Sequence, residues 1–443
     1  MEQPPTEAPR PGRDARIDLF RGLALLTIFV DHIEGNPWSS LTIREFGAVT
    51  ALDVFVVLAG VSGYLAYGSR LRRGGDGLRR IGHRMTVIYL AQLGLIAAML
   101  AFVLVVDRLV PDVQAVTRFH AKPYLTDPAG SLLETLLMTA RPHNSGILTL
   151  YVLLLATLPL IVWALRRALL LPVAVGAVLF LGSVLAGWHI PQSHSEVEPL
   201  RWVLVYAAGV TLAAAGEWRR PAAAPAKPPW VGRVATAAAL TWLVLMAVDD
   251  APWQAVPRWS GVASPLEAMG LSLQGDVVSE LLRPVGLAAL VWLVLRWVPR
   301  DAGWLGARWA VAVAAVGRHS LPIFVAGVLL SSLVTVLALV AGGSAAVYAL
   351  LTLAGIALHL VVATHWPRRT PSGRRAVPQH VRTSAEGVLE PVGERVGDRP
   401  PPGVEHDVVG DTGQDDGPGV VRRSGGADLR DGEHGVVLPA DHE

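Results

Sequence analysis

The sequence contains no cysteine and few charged residues. Of its 443 residues, 17% are Asp, Glu, Lys or Arg, whereas soluble domains average about 25%. The missing cysteines exclude disulfide bonds, thiolate metal sites and a cysteine nucleophile. The formal net charge of +2 is too small to indicate a nucleic-acid partner. With 52% hydrophobic residues and 14 tryptophans, the composition indicates an integral membrane protein.

The sequence also lacks the common short motifs of metal and nucleotide sites. It has no zinc-type spacing of histidine and glutamate, no Walker loop and no GxSxG elbow. We therefore expect neither a metal nor a bound cofactor.

Long apolar runs are abundant, and they predict about ten transmembrane helices. The predicted spans are Ile17–Glu34, Phe46–Gly68, Arg84–Val106, Ile147–Leu165, Ala168–Trp188, Leu200–Glu217, Val231–Val248, Val277–Val298, His319–Ala341 and Ala345–Thr364. Loops rich in arginine alternate with loops poor in basic residues, which predicts that both termini are cytoplasmic. We expect an all-α, polytopic protein of the inner or plasma membrane that has the lipid bilayer as its partner.

The composition divides the chain into three regions. Residues 1–16 form a short cytoplasmic segment, residues 17–364 form the transmembrane domain, and residues 365–443 are a tail predicted to be disordered. Within the domain, Ser131–Ala140 is too short to cross and is predicted to lie at the membrane interface. Trp304–Val316 is predicted either to lie at the interface or to lead into the ninth span.

The first predicted span carries four ionisable residues, namely Asp18, Arg21, Asp31 and His32. Charge inside a bilayer is costly and usually marks a functional site. Arg21 and His32 are eleven positions apart, which places them on one stripe of a helix, roughly 16 Å apart along its axis. We expect Asp18 to pair with Arg21. The arrangement predicts a reaction path between the two membrane faces.

His32 has a structural and a catalytic interpretation. A lone histidine near an interface commonly has a structural role, but a neutral imidazole is also the natural general base for a hydroxyl group. Asp31 is adjacent in sequence and does not share its helix face. An acid from another segment is therefore expected to orient the ring, with Asp53 and Glu134 as candidates. Alternatively, Asp53 pairs with an arginine such as Arg283.

Basic residues lie at the predicted cytoplasmic face. The run between the second and third spans includes Arg80 and Arg84. It is either a positive-inside anchor or a landing site for a phosphate-bearing donor, which arginine forks bind well. Arg318 is a further phosphate contact or another anchor. Gly60 and Gly63 are predicted to permit close helix packing.

The first two spans carry a family resemblance. Two segments resemble the opening of the OpgC family, namely Arg16 to Ile33 followed by Asn36, and Leu52 to Gly60. A third segment, Gly317 to Phe324, resembles a later block of that family. OpgC proteins are ten-span inner-membrane enzymes that succinylate osmoregulated periplasmic glucans. In the related membrane acyltransferases, an arginine or lysine, ten residues and a histidine mark the active site. Arg21 and His32 match that spacing.

The resemblance implies a membrane O-acyltransferase. It would move an acyl group, with succinyl as one candidate, from cytoplasmic acyl-CoA to the hydroxyl of an extracytoplasmic glycan or glucan. In this interpretation the catalytic residues are His32, Arg21, Asp53 and Asp31, and the substrate-binding residues are Asp18, Arg80, Arg84, Arg283 and Arg318. Two alternatives remain open. One is a transporter with an intramembrane relay of Asp53, Arg21 and Arg283, and the other is an N-acetyltransferase acting on amino sugars.

Overall fold

The computed structural model describes residues 14–43, 49–139, 146–190, 198–216, 229–249 and 276–366. Most of the predicted segments 1–16 and 365–443 lies outside these ranges. The described residues contain α-helices and no strand. The α-helices are α1 (Ala15–Asp31), α2 (Ala51–Gly63), α3 (Ser69–Arg72), α4 (Gly77–Leu109), α5 (Ala115–Arg118), α6 (Lys122–Thr126), α7 (Pro128–Leu136), α8 (Gly146–Leu165), α9 (Leu171–Leu185), α10 (Pro199–Ala214), α11 (Pro229–Asp249), α12 (Asp276–Trp297), α13 (Arg308–Arg318), α14 (Ser320–Val340) and α15 (Ala345–His365).

Each predicted span overlaps one of these helices, and the second, Phe46–Gly68, begins outside the described residues and covers α2 and the turn after it. The all-helical prediction is therefore confirmed for the described residues. Five helical stretches are long and apolar enough to cross a membrane. They are Ala51–Arg72, Gly77–Leu109, Gly146–Leu165, Ser320–Val340 and Ala345–His365. The first of them joins α2 to α3 through a π-helical turn at Tyr64–Gly68. Shorter apolar helices occur at Leu171–Leu185, Pro199–Ala214 and Gly232–Val244. These lengths are those expected of a membrane protein.

Helix α1 begins in a buried polar cluster. Its N-cap, Asp14, accepts a hydrogen bond from the backbone N–H of Arg16 at 3.1 Å. The Arg16 side chain, only 2% exposed, pairs with Asp14 at 2.9 Å. It also donates to the carbonyl oxygen of Val298, again at 2.9 Å. Each nitrogen of the buried guanidinium thus has a hydrogen-bond partner, and Arg16 ties the start of α1 to the end of α12.

Glycines permit two close helix crossings. At the crossing of α1 with α13, a Cβ atom added to Gly317 would collide with the backbone carbonyl of Asp18, and one added to Gly22 would collide with that of Val313. At the crossing of α2 with α10, a Cβ atom on Gly60 would collide with the carbonyl oxygen of Tyr206. The prediction that Gly60 serves close packing is therefore confirmed. Small residues allow backbones to approach in this way within membranes.

The two segments predicted not to span form short helices. Of the segment Ser131–Ala140, residues 131–136 lie in α7 and residues 137–139 follow it, while Ala140 lies outside the described residues. Leu132 and Leu133 are each 58% exposed, as expected at an interface. Trp304–Val316 forms a turn at Gly303–Gly306 and then α13. The buried face of α13 packs along α1 and leads into α14. Of the two roles predicted for this segment, its structure agrees with that of a helix leading into the ninth predicted span.

Candidate active site

His32 lies at the C-terminal end of α1, immediately after its last helical residue. The ring is half-buried. Its Nδ1 atom lies 2.7 Å from the carbonyl oxygen of Ile28, one turn earlier. A carbonyl oxygen can only accept, so Nδ1 carries the proton in the neutral ring and Nε2 is the acceptor nitrogen. This is the tautomer that a general base acting through Nε2 requires.

A small cavity adjoins His32 where α1 faces α14. Its volume is about 10 Å³, which is close to the roughly 10–15 Å³ that one water molecule needs. Its lining residues are Leu25, Ile28, Phe29, His32, Ile323, Phe324, Gly327 and Val328. His32 is thus the one ionisable side chain among otherwise apolar lining residues.

Arg21 is directed toward a different neighbour. Its Nη2 atom donates to the carbonyl oxygen of Leu58 at 3.2 Å and to the hydroxyl of Ser62 at 2.5 Å. Arg21 does not line the cavity at His32. Leu58 also lines an apolar groove of about 240 Å³ between α1, α2 and α12. The structure therefore fixes Arg21 against α2 and places His32 against α14, although both residues lie on one stripe of α1.

Asp53 belongs to a capping box at the start of α2. Its Oδ2 atom accepts from the backbone N–H and from the hydroxyl of Thr50, both at 2.8 Å, and Thr50 is the N-cap. The side chain is completely buried. Asp53 does not line the His32 cavity, and neither does Glu134, which lies in α7. Helix capping accounts for the hydrogen bonds of Oδ2, whereas Oδ1 is buried and has no hydrogen-bond partner among the described residues.

Arg283 is part of an ion-pair cluster near Asp53. It pairs with Glu280 one turn earlier in α12, and its guanidinium lies over the ring of Trp202 at 5.2 Å. Glu280 also pairs with Arg201 of α10 at 3.6 Å. Arg283 lies close enough to Asp53 for an electrostatic interaction. The cluster therefore ties α10 to α12 next to the first turn of α2.

The two other acidic residues of α1 occupy opposite ends of the helix. Asp18 is buried at the crossing with α13, where its carbonyl oxygen faces Gly317. Asp31 is the last residue of α1 and is half-buried. Their predicted roles stay predictions.

The basic residues between α2 and α4 follow the end of α2 at which Ser62 accepts a hydrogen bond from Arg21, in the first half of α1. Arg80 donates to the carboxylate of Asp76 at 2.6 Å, and this hydrogen bond holds the pKa of that carboxyl below its usual value. Arg84 is half-buried and lies close enough to Tyr67 for an electrostatic interaction. Tyr67 belongs to the π-helical turn, a feature that occurs frequently at functional sites. Arg318 ends α13 and is exposed.

A second histidine near His32 was not predicted. His359 of α15 is 4% exposed, and its Nδ1 atom donates to the carbonyl oxygen of Gly355 at 2.8 Å. Its ring centroid lies 4.7 Å from that of Phe29, and its Nε2 atom approaches Gly327. Phe29 and Gly327 both line the His32 cavity. The signal in the sequence was an ionisable residue in the middle of the tenth apolar run.

The described residues offer no obvious metal site, because no three His, Asp or Glu side chains among them converge as ligands. The cavity itself offers one imidazole, that of His32, whereas His359 contacts its lining residues Phe29 and Gly327 and Arg21 lies against α2. An imidazole suits proton transfer.

Comparison with known proteins identifies the family. A family model described as OpgC protein matches residues 13–369. No curated protein and no solved structure was found to match the chain. The matched region contains every helix described above, together with Arg21 and His32. The chain therefore belongs to the OpgC family.

Proposed function

We propose that this protein is a membrane O-acyltransferase that moves an acyl group, succinyl being one candidate, from cytoplasmic acyl-CoA to a saccharide hydroxyl outside the membrane. Membership of the OpgC family implies a glucan-modifying function of the acyltransferase type in general terms. The observation that carries the finer proposal is the hydrogen bond from His32 Nδ1 to Ile28, which leaves Nε2 as the acceptor nitrogen. His32 is placed where α1 ends, and Arg21 lies eleven residues earlier.

The proposal includes ten membrane crossings with both termini in the cytoplasm. Its support is that each predicted span overlaps a helix and that arginines concentrate in alternate loops. Arg21 then lies toward the cytoplasmic side of the bilayer and His32 toward the outer side. The basic residues between α2 and α4 face the cytoplasm, where acyl-CoA is found.

The proposed reaction is one acyl transfer. The oxygen of the saccharide hydroxyl attacks the thioester carbonyl while His32 Nε2 takes the hydroxyl proton. The carbon–sulfur bond then breaks and the CoA sulfur leaves as a thiolate. His32 gives up its proton and the thiolate takes up one, so an ester and free CoA are the products. Arg21, held by Leu58 and Ser62, presents positive charge to the donor. A proton-accepting side chain contributes about 10²–10⁴-fold to such reactions.

The test compares the envelope glycans of a wild-type strain with those of a strain that lacks this gene, by mass spectrometry. We expect the deletion to remove one defined acyl mass from a saccharide, and its reintroduction on a plasmid to restore that mass. Unchanged glycans, together with solute flux into liposomes that contain the purified protein, would instead indicate the transporter. An acyl group found on an amino nitrogen would indicate N-acetyl transfer.

We also predict that Arg84→Gln raises the KM for acyl-CoA by about tenfold or more. A hydrogen bond to a charged group contributes about 1.5–3 kcal/mol, and 1.4 kcal/mol is a factor of ten. The kcat value should change little, because Arg84 lies at the cytoplasmic end, far from the transferred group. The measurement is the initial rate of CoA release as the donor concentration is varied.

A phosphate-free donor, the corresponding acyl-pantetheine thioester, provides the internal control, because it lacks the group that Arg84 is proposed to bind. Its KM should be the same for wild type and Arg84→Gln. Arg167→Gln is the matched variant, since Arg167 is exposed after α8 and lies 5.0 Å over the ring of Trp163. An Arg84 effect of equal size on both donors would contradict the phosphate contact.

A further inference from the structure

Glu34, two residues after His32, is held by contacts from three other parts of the chain. Its backbone N–H donates to the hydroxyl of Thr335 in α14 at 3.0 Å, and its carbonyl oxygen accepts from the hydroxyl of Tyr348 in α15 at 3.1 Å. Thr335 is fully buried and Tyr348 is 4% exposed. The Glu34 carboxylate pairs with Arg118 at 2.5 Å. Buried side chains thus fix the backbone of a residue whose carboxylate stays accessible.

Arg118 is positioned by a short segment with unusual backbone geometry. It is the last residue of α5, and its Nε atom also donates to the carbonyl oxygen of Val113 at 3.4 Å. Gln114 and His120, on either side of it, both have φ of +52°. A positive φ is uncommon for residues other than glycine, and such strained positions cluster at functional sites.

The Glu34–Arg118 ion pair contributes little to the stability of the fold. The side chains of Glu34 and Arg118 are 42% and 30% exposed, and an exposed ion pair contributes only about 0–1 kcal/mol. The location is more informative. Two residues of chain keep the Cα atom of Glu34 within about 7 Å of that of His32. A molecule that approaches His32 from the outer side therefore meets this pair.

We infer that the Glu34–Arg118 pair is a recognition site for the acceptor, a polyhydroxylated saccharide. The inference rests on the proposed function, which supplies the direction of approach. A carboxylate accepts hydrogen bonds from sugar hydroxyls, and a guanidinium donates to hydroxyl and ring oxygens. The two groups together hold one sugar so that a neighbouring hydroxyl points to His32 Nε2. Thr335 and Tyr348 act as positioning residues, because they fix Glu34 without touching the sugar.

The test uses the full-length protein in lipid nanodiscs, with the glucan pool purified from the deletion strain as acceptor and succinyl-CoA as donor. Arg118→Gln and Glu34→Gln should each raise the KM for glucan by about tenfold or more and change the KM for succinyl-CoA less than twofold. Arg108→Gln is the matched control, because Arg108 is an exposed arginine in the last turn of α4. This variant should leave both KM values unchanged. The thermal unfolding midpoint of each variant checks that it is folded.

The double variant Glu34→Arg/Arg118→Glu separates recognition from a structural clamp. It restores an ion pair but exchanges the positions of donor and acceptor, so the raised KM for glucan should persist. If the exchange restores the wild-type KM, or if the single variants leave it unchanged, the inference is wrong. Calorimetric titration of the glucan pool into the nanodiscs provides a readout independent of turnover. Glucan binding that is lost in Arg118→Gln would support the site even if no acyl transfer occurred, whereas binding unchanged in that variant would overturn it.

Discussion

Replacing His32 by alanine is expected to lower the rate of acyl transfer by about 10²–10⁴-fold. The imidazole is the only ionisable group that lines the cavity between α1 and α14, and its Nε2 atom is the acceptor nitrogen of the neutral ring. The alanine variant loses that base and retains the apolar lining. The measurement is kcat for purified protein in nanodiscs, with CoA release followed at saturating donor.

The loss should appear in kcat with the KM for acyl-CoA nearly unchanged, because the donor is proposed to bind at the opposite end of the bundle. His365→Ala is the matched control, since His365 is exposed at the end of α15. Expression and the unfolding midpoint of His32→Ala should stay near those of wild type. A His32→Ala protein with full activity would remove the assignment of His32 as the base.

Replacing Gly317 by alanine should have the largest effect on folding. The new methyl group would collide with the carbonyl oxygen of Asp18 and approach the backbone nitrogen of Gly22. Both obstacles are main-chain atoms of α1, so no side chain can rotate away. Overpacking costs typically 1–3 kcal/mol, which corresponds to a fall of about 1–4 °C in the unfolding midpoint of a protein of this size. Melting of the detergent-solubilised protein, together with its yield, would show the effect.

Gly94→Ala is the control for that substitution. Gly94 lies in the middle of α4, and a Cβ atom there meets nothing within 4 Å. Alanine favours a helix over glycine by about 1 kcal/mol, so this variant should be as stable as wild type or slightly more so. Equal melting of Gly317→Ala and wild type would show that α1 and α13 can separate without loss of stability.

The helices followed from the sequence because their signal is local. A run of apolar residues as long as the bilayer is thick must form a helix to satisfy its backbone groups. The length of each run located α8 and α15 almost to the residue. Membership of the OpgC family was predicted from Arg16 to Ile33 and Leu52 to Gly60 and is confirmed.

The surroundings of the site residues were harder to predict because they depend on tertiary contacts. Periodicity placed Arg21 and His32 on one stripe of α1, but it could not show that a long guanidinium reaches across to Leu58 and Ser62. Asp53 had two competing signals, an ionisable residue in an apolar span and the capping pattern begun by Thr50. In the structure, the capping pattern accounts for the hydrogen bonds of Asp53.

The size of the cavity beside His32 has a consequence for the donor. A space of about 10 Å³ accepts one hydroxyl group, and a hydroxyl of this size is nearly indistinguishable from a water molecule. Under the proposed function, His32 would therefore also activate water whenever no sugar is present. We therefore expect a side reaction in which the thioester is slowly hydrolysed to the free carboxylic acid. Added glucan should suppress this hydrolysis, because its hydroxyl would take the place of water in the small cavity.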